Sequence, residues 1–263
     1  MLPYLIEGHG PPLLLLHGWG VTYKAWQKLA PLLSPHFQLI MVELPGVGGA
    51  SGSMPVQSYY PACAEALDEL RVALGIEQWA MLAYSTGSRV GEAYVQKYAL
   101  HVTHIVFLCP IYLRRPWKLA LDIEEWLYAR QPKLANWILS GWRLYGLFQW
   151  LGFNLERNGW ARECMNEIEL QPLDNLRRML LELPGRGRSP FVLPDSPSVP
   201  ALFVWGSRDA LTTHPPYNIP NEVFIVANHG APLLVPESVV SVVLPFLKKE
   251  TVLEQLTEQR NAN

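Results

Sequence analysis

The sequence predicts an α/β protein with a mainly parallel sheet and an inserted all-helical cap. Short apolar runs alternate with helical patterns along much of the 263-residue chain. Strands that alternate with helices usually form a parallel sheet covered on both faces. The alternation stops between about residues 111 and 190, where we find no convincing strand pattern. These observations predict one large α/β core that carries a helical insertion, which a chain of this length can accommodate.

Six runs have the length and the β-branched or aromatic content of buried strands. They span residues 13–16, 37–42, 79–84, 105–109, 201–205 and 223–226. Residues 61–74 carry apolar side chains at helical spacing, and Gly75 can cap that helix at its C-terminal end. Pro236 can begin a final helix, because proline is favoured in the first helical turn.

The block that interrupts the alternation is rich in tryptophan. It contains six of the ten tryptophans of the chain, namely Trp117, Trp126, Trp137, Trp142, Trp150 and Trp160. Apolar residues recur there at helical spacing, as at Ile123, Trp126 and Leu127. We therefore expect residues 1–112 and 191–250 to form the α/β core, residues 113–190 to form the cap, and residues 251–263 to form a C-terminal tail.

The composition argues against several classes of protein. Hydrophobic residues make up 49% of the chain and charged residues 17%, so disorder is not expected. The net charge of −2, with no zinc-spaced Cys/His set and no phosphate-binding Gly-Lys loop, argues against nucleic-acid binding. The apolar run 13–16 is far too short to span a bilayer and has no basic flank. We expect a cytoplasmic monomer whose three cysteines, Cys63, Cys109 and Cys164, form no disulfide framework.

Ser85 has the sequence context of a nucleophile. The apolar run 79–84 is followed by Ser85-Thr86-Gly87-Ser88 and then by a helical pattern at residues 90–98. A strand, a tight turn and a helix in this order form a nucleophile elbow, which lifts the serine hydroxyl clear of the sheet. Small residues at positions 83, 87 and 88 let the strand and the helix approach closely. The simpler alternative is an ordinary turn serine.

Asp209 and His229 are the candidate partners of this serine. A serine hydroxyl needs a base within hydrogen-bonding reach, and a carboxylate fixes the tautomer of a histidine base. Asp209 follows the apolar run 201–205, and His229 follows the run 223–226. Because the carboxyl ends of parallel strands meet at one sheet edge, all three residues are expected to lie there. A helix N-cap for Asp209 and a loop histidine for His229 are the alternatives.

The N–H groups of Trp19 and Thr86 are candidate donors to the oxyanion of an attacked carbonyl. Trp19 lies in His17-Gly18-Trp19-Gly20 after the run 13–16, and glycines let the backbone approach a substrate closely. Thr86 begins the predicted elbow helix, whose N-terminal N–H groups favour negative charge. Losing one such donor typically costs about 3–4 kcal/mol of activation free energy. We interpret His17 as structural support for this loop.

Several segments together resemble the α/β-hydrolase superfamily, and the resemblance extends to about Glu250. The segments are Leu15-Leu16-His17-Gly18-Trp19-Gly20, Ser34-Pro35-His36-Phe37, Glu43-Leu44-Pro45-Gly46-Val47-Gly48, the elbow, and residues 229–236. More narrowly, the chain resembles the pimeloyl-acyl-carrier-protein methyl ester esterases of biotin synthesis. It departs from them at Glu43, where Asp is usual, and at Ala83-Tyr84, where the esterases have Gly-Trp.

The resemblance implies a sheet of the α/β-hydrolase type with a helical cap. The matching positions are Ser85 as nucleophile, Asp209 as acid, His229 as base, and Trp19 and Thr86 as oxyanion donors. The resemblance also implies a basic cap surface that meets an acidic acyl carrier protein. Residues 111–200 contain 12 of the 21 Lys and Arg against 10 Asp and Glu, and solvated helix faces explain this excess almost as well. The candidate docking residues are Arg130, Arg143, Arg157 and Arg162.

We therefore predict a serine carboxylester hydrolase that acts on a medium-chain acyl ester, with pimeloyl-acyl-carrier-protein methyl ester as one candidate. Trp142 and Tyr145, about one helical turn apart, are candidate walls of the acyl pocket. This chemistry needs no metal or organic cofactor. Two alternatives stay open. One is a MenH-like lyase of menaquinone synthesis, to which Tyr84-Ser85-x-Gly87-x-Arg89 is also similar. The other is a non-catalytic receptor that holds a small ligand on the same fold.

Overall fold

A seven-stranded sheet forms the centre of the computed structural model, which describes residues 1–138, 166, 168–195 and 198–248. The strands are β1 (Tyr4–Glu7), β2 (Pro12–Leu16), β3 (Gln38–Val42), β4 (Trp79–Tyr84), β5 (Val102–Leu108), β6 (Ala201–Gly206) and β7 (Glu222–Ile225). Their order across the sheet is β1-β3-β2-β4-β5-β6-β7. β1 is antiparallel to β3, and the other neighbouring pairs are parallel.

Helices cover this sheet and fill the connections between its strands. They are α1 (Ala30–Leu33), α2 (Tyr59–Ala73), α3 (Gly87–Tyr98), α4 (Arg115–Arg130), α5 (Pro132–Ile138), α6 (Leu173–Leu181), α7 (Ala231–Leu234) and α8 (Pro236–Leu247). Short 3₁₀ turns lie at Tyr23–Trp26, Gly48–Ala50, Ala99–His101 and Pro184–Gly187. In the described part of the chain, no helix combines the length and the hydropathy needed to cross a membrane.

Alternate residues of the central strands are buried on opposite faces of the sheet. In β2, Leu14 and Leu16 belong to one apolar cluster, whereas Leu13 and Leu15 belong to another. Successive side chains of a strand point to opposite faces, so the two clusters are the cores above and below the sheet. All six residues of β4 are buried. This two-sided burial explains why the central strands form continuous apolar runs in the sequence.

The predicted α/β class and the mainly parallel sheet are confirmed, and all six predicted strands are present. The structure adds β1, which our prediction missed. Three of the four side chains of β1 are exposed, and an edge strand of this kind needs no apolar run. β5 begins three residues earlier than predicted, at Val102, and the elbow helix begins at Gly87 instead of residue 90.

Helix α2 ends as its sequence predicts. Gly75 has a φ of +66°, a left-handed conformation that favours glycine. Its N–H donates to the carbonyl of Val72, and the N–H of Ile76 donates to the carbonyl of Arg71. This pair of hydrogen bonds is a Schellman motif, which satisfies carbonyl groups that the helix would otherwise leave unpaired.

Between β5 and β6, every regular element in the described residues is a helix or a 3₁₀ turn. Helix α6 contacts helix α2 and the loop that follows β3. The Tyr60 hydroxyl donates to the carbonyl of Met179 (2.8 Å), and the side-chain amide of Asn175 donates to the carbonyls of Gly46 (3.0 Å) and Ser51 (2.8 Å). Helix α6 therefore joins the insertion to a loop at the carboxyl edge of the sheet. The expected cap boundaries, 113–190, stay a prediction, and the expected tail, 251–263, lies outside the described residues.

Candidate active site

Ser85 lies in a strained turn between β4 and α3. Its φ is +55°, a value that non-glycine residues rarely adopt and that often marks a functional site. The Ser85 N–H donates to the carbonyl of Leu108 on the neighbouring strand (3.0 Å). The Ser85 carbonyl accepts a hydrogen bond from the hydroxyl of Ser88 (2.5 Å). These bonds fix the turn at the carboxyl edge of the sheet.

Small residues allow β2, β4 and α3 to approach one another closely at this turn. A Cβ atom on Gly87 would lie 2.5 Å from the carbonyl oxygen of His17 and 2.6 Å from that of Leu16, too close for any side chain. A Cβ atom on Gly91 would lie 3.1 Å from the Cβ of Ala83. Alanine is therefore tolerated at position 83 because the facing helix residue is glycine.

The structure brings Ser85, His229 and Asp209 together in one hydrogen-bonded series. The Oγ of Ser85 is 2.8 Å from Nε2 of His229, and Nδ1 of His229 is 2.7 Å from Oδ2 of Asp209. All three side chains are buried. A carboxylate only accepts hydrogen bonds, so Nδ1–H donates to Asp209 and Nε2 accepts from the serine hydroxyl. In this arrangement His229 can take the proton of Ser85.

The carboxylate of Asp209 is fully engaged. Oδ1 accepts from the N–H groups of Leu211 (2.8 Å) and Thr212 (3.0 Å), while Oδ2 accepts from the Thr212 hydroxyl (2.7 Å) as well as from His229. Burial alone would raise the pKa of Asp209. The electrostatic attraction of His229 and these hydrogen bonds outweigh burial and hold the pKa below its ordinary value. Asp209 is therefore ionised at neutral pH and can fix the orientation of His229.

The loop that carries Trp19 lies against Ser85. A Cβ atom on Gly18 would lie 2.9 Å from the Cβ of Ser85, so the backbone before Trp19 passes within contact of the serine. His17 holds this loop from behind. Its Nε2 accepts from the N–H of Leu44 (2.9 Å), and its Nδ1 donates to the carbonyl of Gly18 (2.8 Å). The interpretation of His17 as support for the loop agrees with these contacts.

The insertion contacts the same loop. The indole Nε1 of Trp19 donates to the carbonyl of Leu176 on α6 (2.7 Å). A Cβ atom on Gly20 would lie 3.2 Å from side-chain atoms of Ile168 and of Leu176. Because Ile168 and Leu176 touch the loop that holds Trp19, the position of this part of the insertion and the geometry around Ser85 are physically connected.

Comparisons with known proteins agree with this architecture. A family model described as the alpha/beta hydrolase fold matches residues 11–138. A solved esterase from Thermogutta terrifontis superposes with a TM-score of 0.72 at 22% identity, over 94% of this chain and 93% of that one. This chain has the α/β-hydrolase fold.

Curated relatives match shorter stretches. The chain is 33% identical to a pimeloyl-acyl-carrier-protein methyl ester esterase of Legionella pneumophila (strain Paris) over 98 residues. This aligned stretch covers 37% of this chain and 39% of that protein. It is 35% identical to a fluoroacetate dehalogenase of a Burkholderia species over 92 residues. That stretch covers 34% of this chain and 30% of the dehalogenase. The chain thus aligns with less than half the length of these two relatives, and the two differ in the reaction that they are named for.

Several predicted residues of this α/β-hydrolase fold cannot be placed in the site. Trp142 and Tyr145, the candidate acyl-pocket walls, lie outside the described residues, as do Cys164 and the candidate docking residues Arg143, Arg157 and Arg162. Arg130 ends α4, and its guanidinium lies 4.7 Å from the ring centre of Trp126. Cys63 and Cys109 are buried and free. Within residues 1–138, 166, 168–195 and 198–248, no group of three or more His, Cys, Asp or Glu side chains could hold a metal ion.

Sequence reasoning missed three residues that support the site. The Tyr84 hydroxyl donates to the carbonyl of His229 (2.8 Å). Thr212 binds the Asp209 carboxylate through both its N–H and its hydroxyl. The guanidinium of Arg114 donates to the carbonyl of Asp209 (2.9 Å). Only the contact between Asp209 and Thr212 could have been predicted from the sequence, because these residues are three positions apart. The other two contacts join residues that are far apart in the sequence.

Proposed function

We propose that this chain is a serine carboxylester hydrolase with Ser85 as its nucleophile, His229 as its base and Asp209 as its acid. The observation that carries the proposal is the hydrogen-bonded series from the Ser85 hydroxyl through His229 to Asp209, at distances of 2.8 Å and 2.7 Å. The strained φ of Ser85 and the loop of Trp19 beside it add support. The relatives that are named esterases agree with this chemistry.

In the proposed reaction, His229 takes the proton of Ser85 while Oγ attacks the ester carbonyl carbon. The electron pair of the carbonyl moves to its oxygen, and the N–H groups of Trp19 and Thr86 donate hydrogen bonds to the oxyanion. Collapse of this intermediate expels the alcohol, which takes the proton from His229, and leaves an acyl-enzyme. A water molecule activated by His229 then releases the acid. Asp209 keeps Nδ1 of His229 protonated throughout.

We infer a medium-chain acyl ester as the substrate class. The sequence between β5 and β6 is rich in tryptophan, and an apolar cap over an active site suits an acyl chain. Trp142 and Tyr145 stay candidate walls of that pocket. Pimeloyl-acyl-carrier-protein methyl ester is the specific candidate, because several relatives carry that name. In this proposal an acyl carrier protein would dock on the basic cap surface.

Replacing Ser85 by alanine tests the proposed function. Ser85→Ala removes the attacking oxygen, so kcat for p-nitrophenyl octanoate should fall by about 10⁴-fold or more. The matched control is Ser53→Ala, which removes the hydroxyl of an exposed serine and should leave kcat unchanged. Circular dichroism should show the same fold in all three proteins. A Ser85→Ala protein that retains more than about a tenth of the activity would contradict the proposal.

Pre-steady-state kinetics with the same ester separates the proposal from the two alternatives. An acyl-enzyme mechanism releases one equivalent of nitrophenol per chain in an initial burst. A MenH-like lyase should give no stoichiometric burst, because its serine and histidine would abstract a proton instead of forming an ester. A receptor should release no nitrophenol at all.

A further inference from the structure

The guanidinium of Arg89 lies where the α/β core meets the insertion. Arg89 belongs to α3, four residues after Ser85, and its side chain is 0% exposed. Nη1 is 2.8 Å from Oε2 of Glu92, and the guanidinium carbon lies 3.7 Å from the ring centre of Phe191. A buried charge is costly unless it is paired and hydrogen-bonded, so its partners show what holds it there.

The Arg89–Glu92 pair binds both chain segments that connect the core to the insertion. We call residues 109–113 the outgoing stem and residues 189–192 the return stem. The guanidinium donates to the carbonyl oxygens of Ile111 (2.9 Å) in the outgoing stem and of Ser189 (2.6 Å) and Pro190 (3.3 Å) in the return stem. The other carboxylate oxygen of Glu92 accepts from the N–H of Val192 (2.7 Å). One ion pair therefore joins both stems to helix α3.

The outgoing stem also touches the residues proposed for catalysis. The N–H of Ile111 donates to the hydroxyl of Ser88 (3.2 Å), and that hydroxyl donates to the carbonyl of Ser85. Directly after the stem, Arg114 donates to the carbonyl of Asp209 (2.9 Å). None of these bonds involves Arg89 or Glu92, so Ser85 and Asp209 keep their positions when only the ion pair is removed.

An arginine this close to Ser85 could instead bind a carboxylate of a substrate. Its surroundings argue against that role. Both Nη atoms already donate to protein oxygens, Phe191 covers one face of the guanidinium, and Glu92 neutralises its charge. Nε is buried and has no partner among the residues that the structure describes. The group is enclosed by the core and both stems.

We propose that Arg89 and Glu92 are positioning residues that fix both stems, and with them the cap, to the elbow helix. The proposal rests on the ester hydrolase function proposed above. A buried ion pair is often no more stabilising than an apolar pair of similar volume, so the distinctive contribution of Arg89 and Glu92 is their directional hydrogen bonds to the stems. A displaced cap weakens the binding of a substrate whose acyl chain is long enough to reach the cap. An acetyl group, which is bound only beside Ser85, is attacked as before.

Two variants separate this positioning role from a purely structural one. The double variant Arg89→Met/Glu92→Leu removes the ion pair without leaving one charge unpaired, whereas Arg89→Lys keeps the charge and loses the planar fork. Both should raise KM for p-nitrophenyl octanoate by about tenfold, with less than about threefold change in kcat or in KM for the acetate ester. Amide hydrogen exchange at Ile111 and Val192 should become faster in both variants, and this measurement needs no substrate.

The outcomes distinguish the two proposals. If the wild-type protein hydrolyses no ester, the proposed function fails, and hydrogen exchange at Ile111 and Val192 alone decides whether the pair fixes the stems. An unchanged ratio of the octanoate and acetate KM values, together with unchanged exchange, would overturn the positioning role. An equal loss of kcat on both esters would overturn it as well, because that result indicates general destabilisation. If the double variant does not fold, Arg89→Lys is judged by the same measurements.

Discussion

His229 contacts Ser85, whereas His17 supports the loop that lies against it, and their surroundings give the two histidines different chemistry. His229 contacts both the serine hydroxyl and the carboxylate of Asp209. His17 contacts only backbone groups: it accepts from one N–H and donates to one carbonyl, which requires the neutral ring. Burial lowers the pKa of His17 to about 4. The base role proposed for His229 and the supporting role of His17 agree with the partners that each ring has.

The neutral state of His17 predicts a pH-dependent loss of stability. The pKa of an unfolded histidine is 6.5 and that of folded His17 is about 4, so the unfolded chain binds more protons between these values. The resulting stability is fully present above pH 6.5 and is lost as the pH falls to 4, by about 3 kcal/mol. Urea unfolding of wild type and His17→Gln at pH 7, 5.5 and 4 should show a flatter dependence in the variant.

The control for this comparison is His9→Gln, because His9 is exposed. The free energy of unfolding of His9→Gln should depend on pH in the same way as that of the wild type. Asp209, whose pKa is lowered, loses its stabilising contribution as the pH falls below about 5. All three proteins carry Asp209, so this contribution cancels in the comparison. Parallel curves for wild type and His17→Gln would show that His17 is not held neutral by the fold.

At the scale of elements, the site is built where three strands end and one helix begins. Ser85 directly follows β4, Asp209 lies in the loop after β6, and His229 lies in the loop after β7. The sequence predicted these elements because two-sided burial requires continuous apolar runs, and it predicted the elbow because close packing requires small residues. It could not predict Tyr84 as a partner of His229, since the two are 145 residues apart. Contacts between residues so far apart in the sequence form only when the strands pair in the folded sheet.

The close approach of α3 to β2 predicts a steric effect at Gly87. In Gly87→Ala the new methyl group would meet two carbonyl oxygens of β2 and the residue after it. The helix must shift, so we expect a loss of about 1–3 kcal/mol in the free energy of unfolding and a large fall in kcat. Gly52→Ala is the matched control, because nothing lies within 4 Å of a Cβ at that position. Equal stability of the two variants in urea unfolding would contradict the packing described for the elbow.

At the scale of the whole molecule, hydrogen bonds join the described part of the insertion to the core. Helix α6 binds the loops that follow β2 and β3, and the Arg89–Glu92 pair binds both stems. The sequence predicted a helical block from its missing strand pattern and its tryptophans. It gave no sign of the contacts that hold the block in place, because most of them use backbone carbonyl groups, which every residue carries.

Covalent labelling of the full chain tests the central claim most directly. A fluorophosphonate forms a stable bond with a serine oxygen only where a base activates the hydroxyl. Mass spectrometry of the labelled wild-type protein should show one adduct per chain, located by peptide mapping on Ser85, and His229→Ala should label far more slowly. A protein that hydrolyses esters but carries no adduct, or carries it on another residue, would contradict the account.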